Sequence, residues 1–166
     1  MNYWTLISGN ICSLLAMATD SLSASQKTAK RVLWVQNLSQ AIYCLGAILL
    51  KGYSGAAQNV ISIVRNLMAI KQISKPWIQW ILTVSGVVLG LAFNNLGWVG
   101  LLPIIANLQY TVIVFRFHEN TRLLKISFLA SALMFSVFSG AILNIVGIFT
   151  NLVVAVSTTI SLIKSK

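Results

Sequence analysis

"GAAQNVISIVRNL", residues 55–67, sets an arginine in a stretch otherwise made of apolar and small polar residues. Gln58, Asn59, Ser62, Arg65 and Asn66 recur at spacings of three, four and seven, which gathers them on one face of a helix. A face of amides and a guanidinium does not suit hydrocarbon, so it turns inward. A second stretch, "GAILNIVGIFTNL" at residues 140–152, matches the first without a gap at Gly, Ala, Asn, Ile, Asn and Leu. At this offset of 85 residues Tyr43 pairs with Phe128, Ala47 with Ala132, Tyr53 with Phe138 and Ser54 with Ser139, and the counterpart of Arg65 is Thr150.

The composition decides which solvent these faces avoid. Of 166 residues, 57% are hydrophobic and only 8% charged, too much oil for a soluble core. A membrane span takes about 20 mostly apolar residues, so seven spans would use about 140 of them and leave short connections. Apolar runs between charge clusters predict spans near Asn2–Thr19, Val32–Leu50, Ser54–Ile70, Trp77–Asn94, Trp98–Phe115, Leu123–Phe138 and Ala141–Ile163. The sixth and seventh are cut at Ser139–Gly140, where the repeat begins.

The net charge of +10 does not point to nucleic acid, because the cations follow topology and form no patch. With the N-terminus outside, Lys27, Lys30, Arg31, Lys71, Lys75, Arg116, Arg122, Lys125, Lys164 and Lys166 fall on the cytoplasmic side, against Lys51 outside. This positive-inside bias predicts the N-terminus out and the C-terminus in. No basic segment precedes the first apolar run, which therefore reads as a span and not as a signal peptide. Trp4, Trp34, Trp77, Trp80 and Trp98 stand near span ends, as interfacial anchors do.

Two directly joined three-span units would lie upside down relative to each other. One extra crossing between them restores a common orientation, and "WIQWILTVSGVVLGLAFNN", residues 77–95, has no counterpart in the repeat. The expected fold is an all-α membrane protein of seven transmembrane helices in a 3+1+3 plan of parallel triple-helix bundles. Residues 1–72 form the first bundle, 73–97 the linker helix and 98–166 the second bundle. Parallel repeats of this kind are a transporter design, with the solute near midplane where the halves meet.

The candidate solute contacts are Asn59, Ser62, Arg65 and Asn66 on the third span and Asn144, Thr150 and Asn151 on the seventh. A carboxamide offers two donors and an acceptor, enough to replace hydration lost by an uncharged hydroxylated ligand. The same residues also serve as interhelical glue at about 0.6 kcal/mol per contact, and both roles stay open. Arg65 lies about 16 Å along the axis from Ser54 and about 9 Å from Lys71, below the midplane. It reads as a cavity or inner-gate cation bonded to carbonyls or Asn151, as a partner for an anionic solute, or as a snorkelling side chain. Pro103, inside the fifth span, is expected to kink it and to act in gating. Asn107 and Gln109 beyond it, and Gln36, Gln40 and Tyr43 on the second span, form further polar faces.

The chain holds two carboxylates, Asp20 at the inner end of the first span and Glu119 in a cytoplasmic loop beside His118. Neither is placed as a mid-membrane proton relay, so passive facilitation is the economical mechanism. Cys12 and Cys44 lack metal-ligand spacing, and no metal, cofactor or enzymatic chemistry is expected.

"YW" at Tyr3–Trp4, "IVRNLMAIK" at 63–71, "LLPII" at 101–105 and "FR" at Phe115–Arg116 resemble the YgjV-type family of bacterial inner membrane proteins, over most of the chain. That family has an arginine at the position matching Arg65. The seven-span plan is similar to the SWEET sugar facilitators and PnuC-type vitamin transporters. In SWEET proteins asparagines of the third and seventh spans contact the sugar, which implies Asn59 or Asn66 with Asn144 or Asn151 here. The chain departs from that pattern in lacking a Pro-Gln motif and in having only Pro103 within a span. The expected function is a facilitator of a small polar metabolite, sugar or vitamin-like, in a bacterial cytoplasmic membrane. It would work by alternating access between the bundles, with the solute and the bilayer as partners and a homo-oligomer left open. The alternative is a non-transporting accessory, immunity or receptor protein of the same membrane.

Overall fold

A computed structural model describes residues 2–24, 29–73, 75–117 and 121–164. His118, Glu119, Lys27 and Lys166 lie outside the described residues. Seven α-helices follow one another: α1 Tyr3–Ala24, α2 Ala29–Leu49, α3 Tyr53–Ile70, α4 Pro76–Ala92, α5 Leu102–Arg116, α6 Thr121–Ala141 and α7 Ile145–Lys164, with a 3-10 turn Val99–Leu101 leading into α5. The described residues contain no strand.

Six helices close into a ring. Packing runs α1–α2–α3–α5–α6–α7, and α7 returns to α1, while α4 sits outside the seam between α3 and α5. Exchanging α1–α2–α3 for α5–α6–α7 leaves this order unchanged. Short connections make successive helices run in opposite directions, so α3 and α5 point the same way with α4 between them.

The two tight turns of the ring share a backbone conformation and a hydrogen-bond pattern. Lys51 (φ 59°) and Leu143 (φ 57°) both take the left-handed conformation that ends a helix. Gly52 N donates to Ala47 O at 2.8 Å, as Asn144 N donates to Ser139 O at 2.9 Å. The structural offset is therefore 92 residues, Lys51 to Leu143, and it carries α2 onto α6 from end to end. This corrects the 85-residue register read from the sequence. Arg65 pairs with Ser157 and not Thr150, Asn66 with Thr158, Asn59 with Asn151, and Gln58 with Thr150. The difference of seven residues is about two helical turns, so either register leaves each stripe on its own face. The cut expected at Ser139–Gly140 also moves, because α6 runs on to Ala141 and the chain turns at Ile142–Asn144.

Pro103 is likewise corrected. It stands in the first turn of α5, just after the 3-10 turn, where a missing N–H removes no hydrogen bond from within α5, so it starts that helix instead of interrupting it.

Helix contacts rest on small residues. A Cβ on Gly9 would meet Leu50 Cγ at 2.5 Å, and one on Gly46 would meet the Gly9 carbonyl oxygen at 3.1 Å, which shows how closely α1 and α2 approach. Gly86 and Gly90 bring α4 against α3 and α5. The ring is closed towards one end by a cluster of Leu50, Phe138 and Ile142, joined by Leu6, Leu96, Val99 and Leu102.

Burial is inverted relative to a water-soluble bundle. Ser13, Ser39, Ser54, Gln58, Asn66 and Ser131 are buried, while Leu15, Leu38, Val88, Phe149, Val153 and Ile163 are exposed. Among the described residues no helix is long and apolar enough to cross a membrane, so the seven apolar spans expected from sequence are not met in that form. The inward stripes dilute the longer helices, and α4 has 17 residues.

Replacing Gly90 by Ala would place a Cβ 2.5 Å from Ile104 Cγ1 and 2.6 Å from Gln58 Nε2. The expected outcome is a loss of about 1–3 kcal/mol from overpacking, read as a lower unfolding temperature of the purified protein.

Candidate functional site: a polar cavity within the six-helix ring

The ring surrounds a partly open cavity of about 300 Å³ with walls from α1, α2, α3, α5, α6 and α7 and none from α4. This is at the lower end of the size range of small-molecule sites. Its lining obeys the 92-residue offset. Gln40 faces in with Ala132, Tyr43 with Phe135, Ala47 with Ser139, Gly55 with Gly147, Gln58 with Thr150, Asn59 with Asn151, and Ser62 with Val154. Amides and hydroxyls thus alternate with aromatic rings, and Phe128, Phe138 and Tyr110 complete the wall.

Of the residues predicted from sequence, Asn59, Ser62, Arg65, Asn144, Thr150 and Asn151 line this cavity. Asn66 does not; it is buried away from the cavity wall, as is its counterpart Thr158. Three of the lining side chains also have local work. Asn144 Oδ1 accepts from Gly147 N at 2.8 Å and caps α7, so it stands at the turn and not at the middle of a helix. Thr150 Oγ1 donates to Val146 O at 2.9 Å, and Asn151 Nδ2 to Gly147 O at 2.8 Å, both within α7.

Arg65 does not reach Asn151. Its Nη1 donates to Asn107 Oδ1 at 3.2 Å and to Thr111 Oγ1 at 3.5 Å, both on α5. Asn107 Nδ2 donates onward to Gln58 Oε1 at 2.8 Å, and Gln58 Nε2 to the Gly86 carbonyl at 2.8 Å. This relay joins α3, α5 and α4, and the same side chains line a much smaller cleft of about 10 Å³ on the α4 side. Arg65 therefore stands in the wall between cleft and cavity.

Two further polar groups belong to the site. Asp20, read from sequence as lying at the inner edge of the first span, faces the cavity and accepts a hydrogen bond from Ser39 of α2. Tyr110, one helical turn beyond Asn107, also lines it. The polar spacing of Gln36, Gln40 and Tyr43 was a usable signal for the α2 wall. Nothing in the sequence marked Phe128, Phe135 and Phe138 as cavity residues, since aromatic residues on a membrane helix face lipid or interior equally well.

Other polar groups are glue. Gln109 Nε2 donates to Ser127 O at 2.8 Å and to Ser131 Oγ at 2.6 Å, and Ser127 Oγ donates back to Gln109 Oε1 at 2.8 Å, pinning α5 to α6. Asn10 Nδ2 donates to Leu143 O at 3.0 Å, and Asn95 Nδ2 to Lys51 O at 2.8 Å, so each left-handed turn has its carbonyl held by an asparagine from outside. Cys12 and Cys44 are both free thiols.

An all-helical ring with a polar interior and an apolar exterior is a membrane-type bundle in its side-chain distribution. The chain belongs to the Imp-YgjV family of bacterial inner membrane proteins, whose family model matches residues 7–166. No curated protein matches it, and no solved structure matches it.

The capping role of Asn144 separates from a ligand role by substitution. Asn144→Ala is expected to cost about 1 kcal/mol of stability and Asn144→Asp little, measured by thermal unfolding, because an aspartate oxygen still accepts from the Gly147 amide. Asn107→Leu is expected to cost more, about 1–3 kcal/mol, since it leaves Gln58 Oε1 and the Arg65 guanidinium without their shared partner.

Proposed function

We propose that this protein is a facilitator of a small polar solute, carrying it across the bacterial inner membrane by alternating access through the cavity of the ring. The observation that carries the reading is a cavity of about 300 Å³ whose wall repeats with a two-fold offset and is rich in amides and hydroxyls. Such a wall exchanges hydration for hydrogen bonds, and its two like halves can rock about one site. The apolar cluster of Leu50, Phe138 and Ile142 closes one end and serves as the gate on that side.

In this reading the chain is multi-pass, two parallel triple-helix bundles joined by α4, with the N-terminus out and the C-terminus in. Several features support it. Helices of 20–22 residues measure about 30–33 Å, the thickness of the hydrocarbon layer. Their exposed faces are Leu, Ile, Val and Phe, and their polar residues turn away from lipid. Alternating helix direction groups exposed Trp4 and Trp98 at one end and Trp34, Trp77 and Trp80 at the other, as two interfacial belts.

A second reading, a non-transporting membrane scaffold, draws on the Gln109 and Arg65 networks, in which polar side chains hold helices together. The two part on a cavity-filling change. Ala132→Trp puts an indole into the cavity wall; a facilitator loses solute flux in proteoliposomes while its helix content and monodispersity persist. A bundle that carries no tested metabolite in its unaltered form, across a broad panel of sugars, amino acids and vitamins, would refute the transport reading.

The orientation has its own test. In a variant lacking Cys12 and Cys44, a cysteine at exposed Lys51 should react with a membrane-impermeant maleimide on intact spheroplasts, and one at exposed Lys71 only after permeabilisation. The reverse pattern would overturn the topology.

A further inference from the structure

The two halves of the ring meet at two seams, α1–α7 and α3–α5, and each seam carries one asparagine at the end with the left-handed turns. At the first, Asn10 of α1 uses its whole carboxamide. Its Nδ2 donates to Leu6 O of its own helix and, across the seam, to Leu143 O, both at 3.0 Å, and its Oδ1 accepts from Val146 N at 3.3 Å. At the second, Asn95, on the segment leading into α5, donates through Nδ2 to Lys51 O at 2.8 Å. The neighbouring Asn94 shapes that segment, accepting from Leu96 N at 3.1 Å and donating to Gly97 O at 2.8 Å. Lys51 and Leu143 correspond under the 92-residue offset, so the same backbone atom of each half is gripped from across a seam. Beside these bonds Phe138 of α6 lies on the start of α3: a Cβ on Gly55 would meet its Cε1 at 2.6 Å, and one on Gly52 its Cζ at 3.0 Å.

We infer that Asn10 and Asn95 are the latches of the gate at the turn end, one on each seam, holding the plug of Leu50, Phe138 and Ile142 shut until both let go. This rests on the reading of the ring as a facilitator with its N-terminus outside, and it names the residues that control the outer opening. The bonds to the two turn carbonyls stand at exposed positions, so water takes their place when they break and release costs little. Phe138 leaves Gly52 and Gly55 without stranding a polar group, because the contact is made by its ring. Farther along the α3–α5 seam the bond from Asn107 to Gln58 is partly buried and continues into the buried bond from Gln58 to Gly86 O, where water substitutes less readily. The turn end is therefore where the halves part, with the seam near Gln58 as the fulcrum. A carboxamide suits a latch because it donates and accepts at once and leaves no charge behind when it opens.

The test needs no solute. In the full chain without Cys12 and Cys44, Ala47→Cys places a thiol on the cavity wall one turn from Leu50, and a small membrane-impermeant thiosulfonate is added to intact spheroplasts. With both asparagines in place the thiol should react far more slowly than a cysteine at exposed Lys51, and Asn10→Ala with Asn95→Ala should speed it about tenfold or more, the scale of two or three lost hydrogen bonds. Asn10→Asp, which still accepts from Val146 N but no longer donates to Leu143 O, should fall between. Gln109→Ala, which loosens α5 from α6 within one half, should lower the unfolding temperature and leave the rate unchanged. A thiol at position 47 that reacts as fast as one at position 51 while both asparagines are present would overturn the inference, and that comparison stands even if the asparagine variants fail to fold. An unchanged rate in the folded double variant, or an equal acceleration by Gln109→Ala, would overturn it as well. Acceleration in a protein that carries no metabolite of a broad panel would keep the latches and discard transport, whereas flux without acceleration would keep transport and discard the latches.

Discussion

The hydrogen bond from Asn107 Nδ2 to Gln58 Oε1, at 2.8 Å, is the stitch on which the arrangement turns. It lies where α3 meets α5, the seam that brings the first three helices to the last three, and it passes on through Gln58 to the carbonyl of Gly86 on α4. Among lipids the hydrophobic effect does not press helices together, so association depends on close approach at small residues and on such bonds. Gly86 and Gly90 let α4 come near enough for the Gln58 amide to reach a backbone carbonyl that helix geometry has already engaged. The same bond holds Asn107 so that its oxygen receives Arg65, and thereby fixes a guanidinium in the wall of the cavity. Architecture and site share one set of side chains.

The ring follows from repetition, and the site follows from its imperfection. Two helical hairpins with matching left-handed turns, at Lys51 and Leu143, place equivalent faces of α2, α3, α6 and α7 around a common centre. Seven lining positions of one half thus correspond to seven of the other, and a lumen persists because Gly55, Gly147, Ala47, Ala106 and Ala132 are too short to fill it. Departures from the repeat supply the character: Tyr43 against Phe135, Ser62 against Val154, and above all Asp20 and Arg65 against Val112 and Ser157.

Much of this was legible in the chain. The apolar content, the three-and-four spacing of Gln58, Asn59, Ser62 and Arg65, and the placing of cations between the apolar runs implied seven helices with inward polar faces. The inner location of Asn59, Ser62, Arg65, Thr150 and Asn151 followed from periodicity alone, which is why these cavity-lining positions were legible in the chain. The register of the repeat was not legible, because a slip of seven residues returns every side chain to its own face, and the match of "GAILN" to "GAAQN" at Gly, Ala and Asn favoured the other one. Pro103 was misplaced for a related reason, since an apolar run does not show where its helix begins, and a proline in the first turn has the opposite effect from one in the middle.

The amino-acid sequence by itself determined the helices, their number and the face each keeps from lipid, because these depend on local periodicity and on transfer of side chains between oil and water. Only the tertiary structure decided which turns are equivalent, that Asn66 lies off the cavity while Asp20 lies on it, and that Arg65 is held by Asn107 and Thr111 of α5 instead of Asn151 of α7. Those outcomes depend on the axial offset and rotation of one helix against another. Both are set by the depth of glycine contacts and the reach of single hydrogen bonds, quantities that join residues more than forty positions apart and that no local pattern encodes.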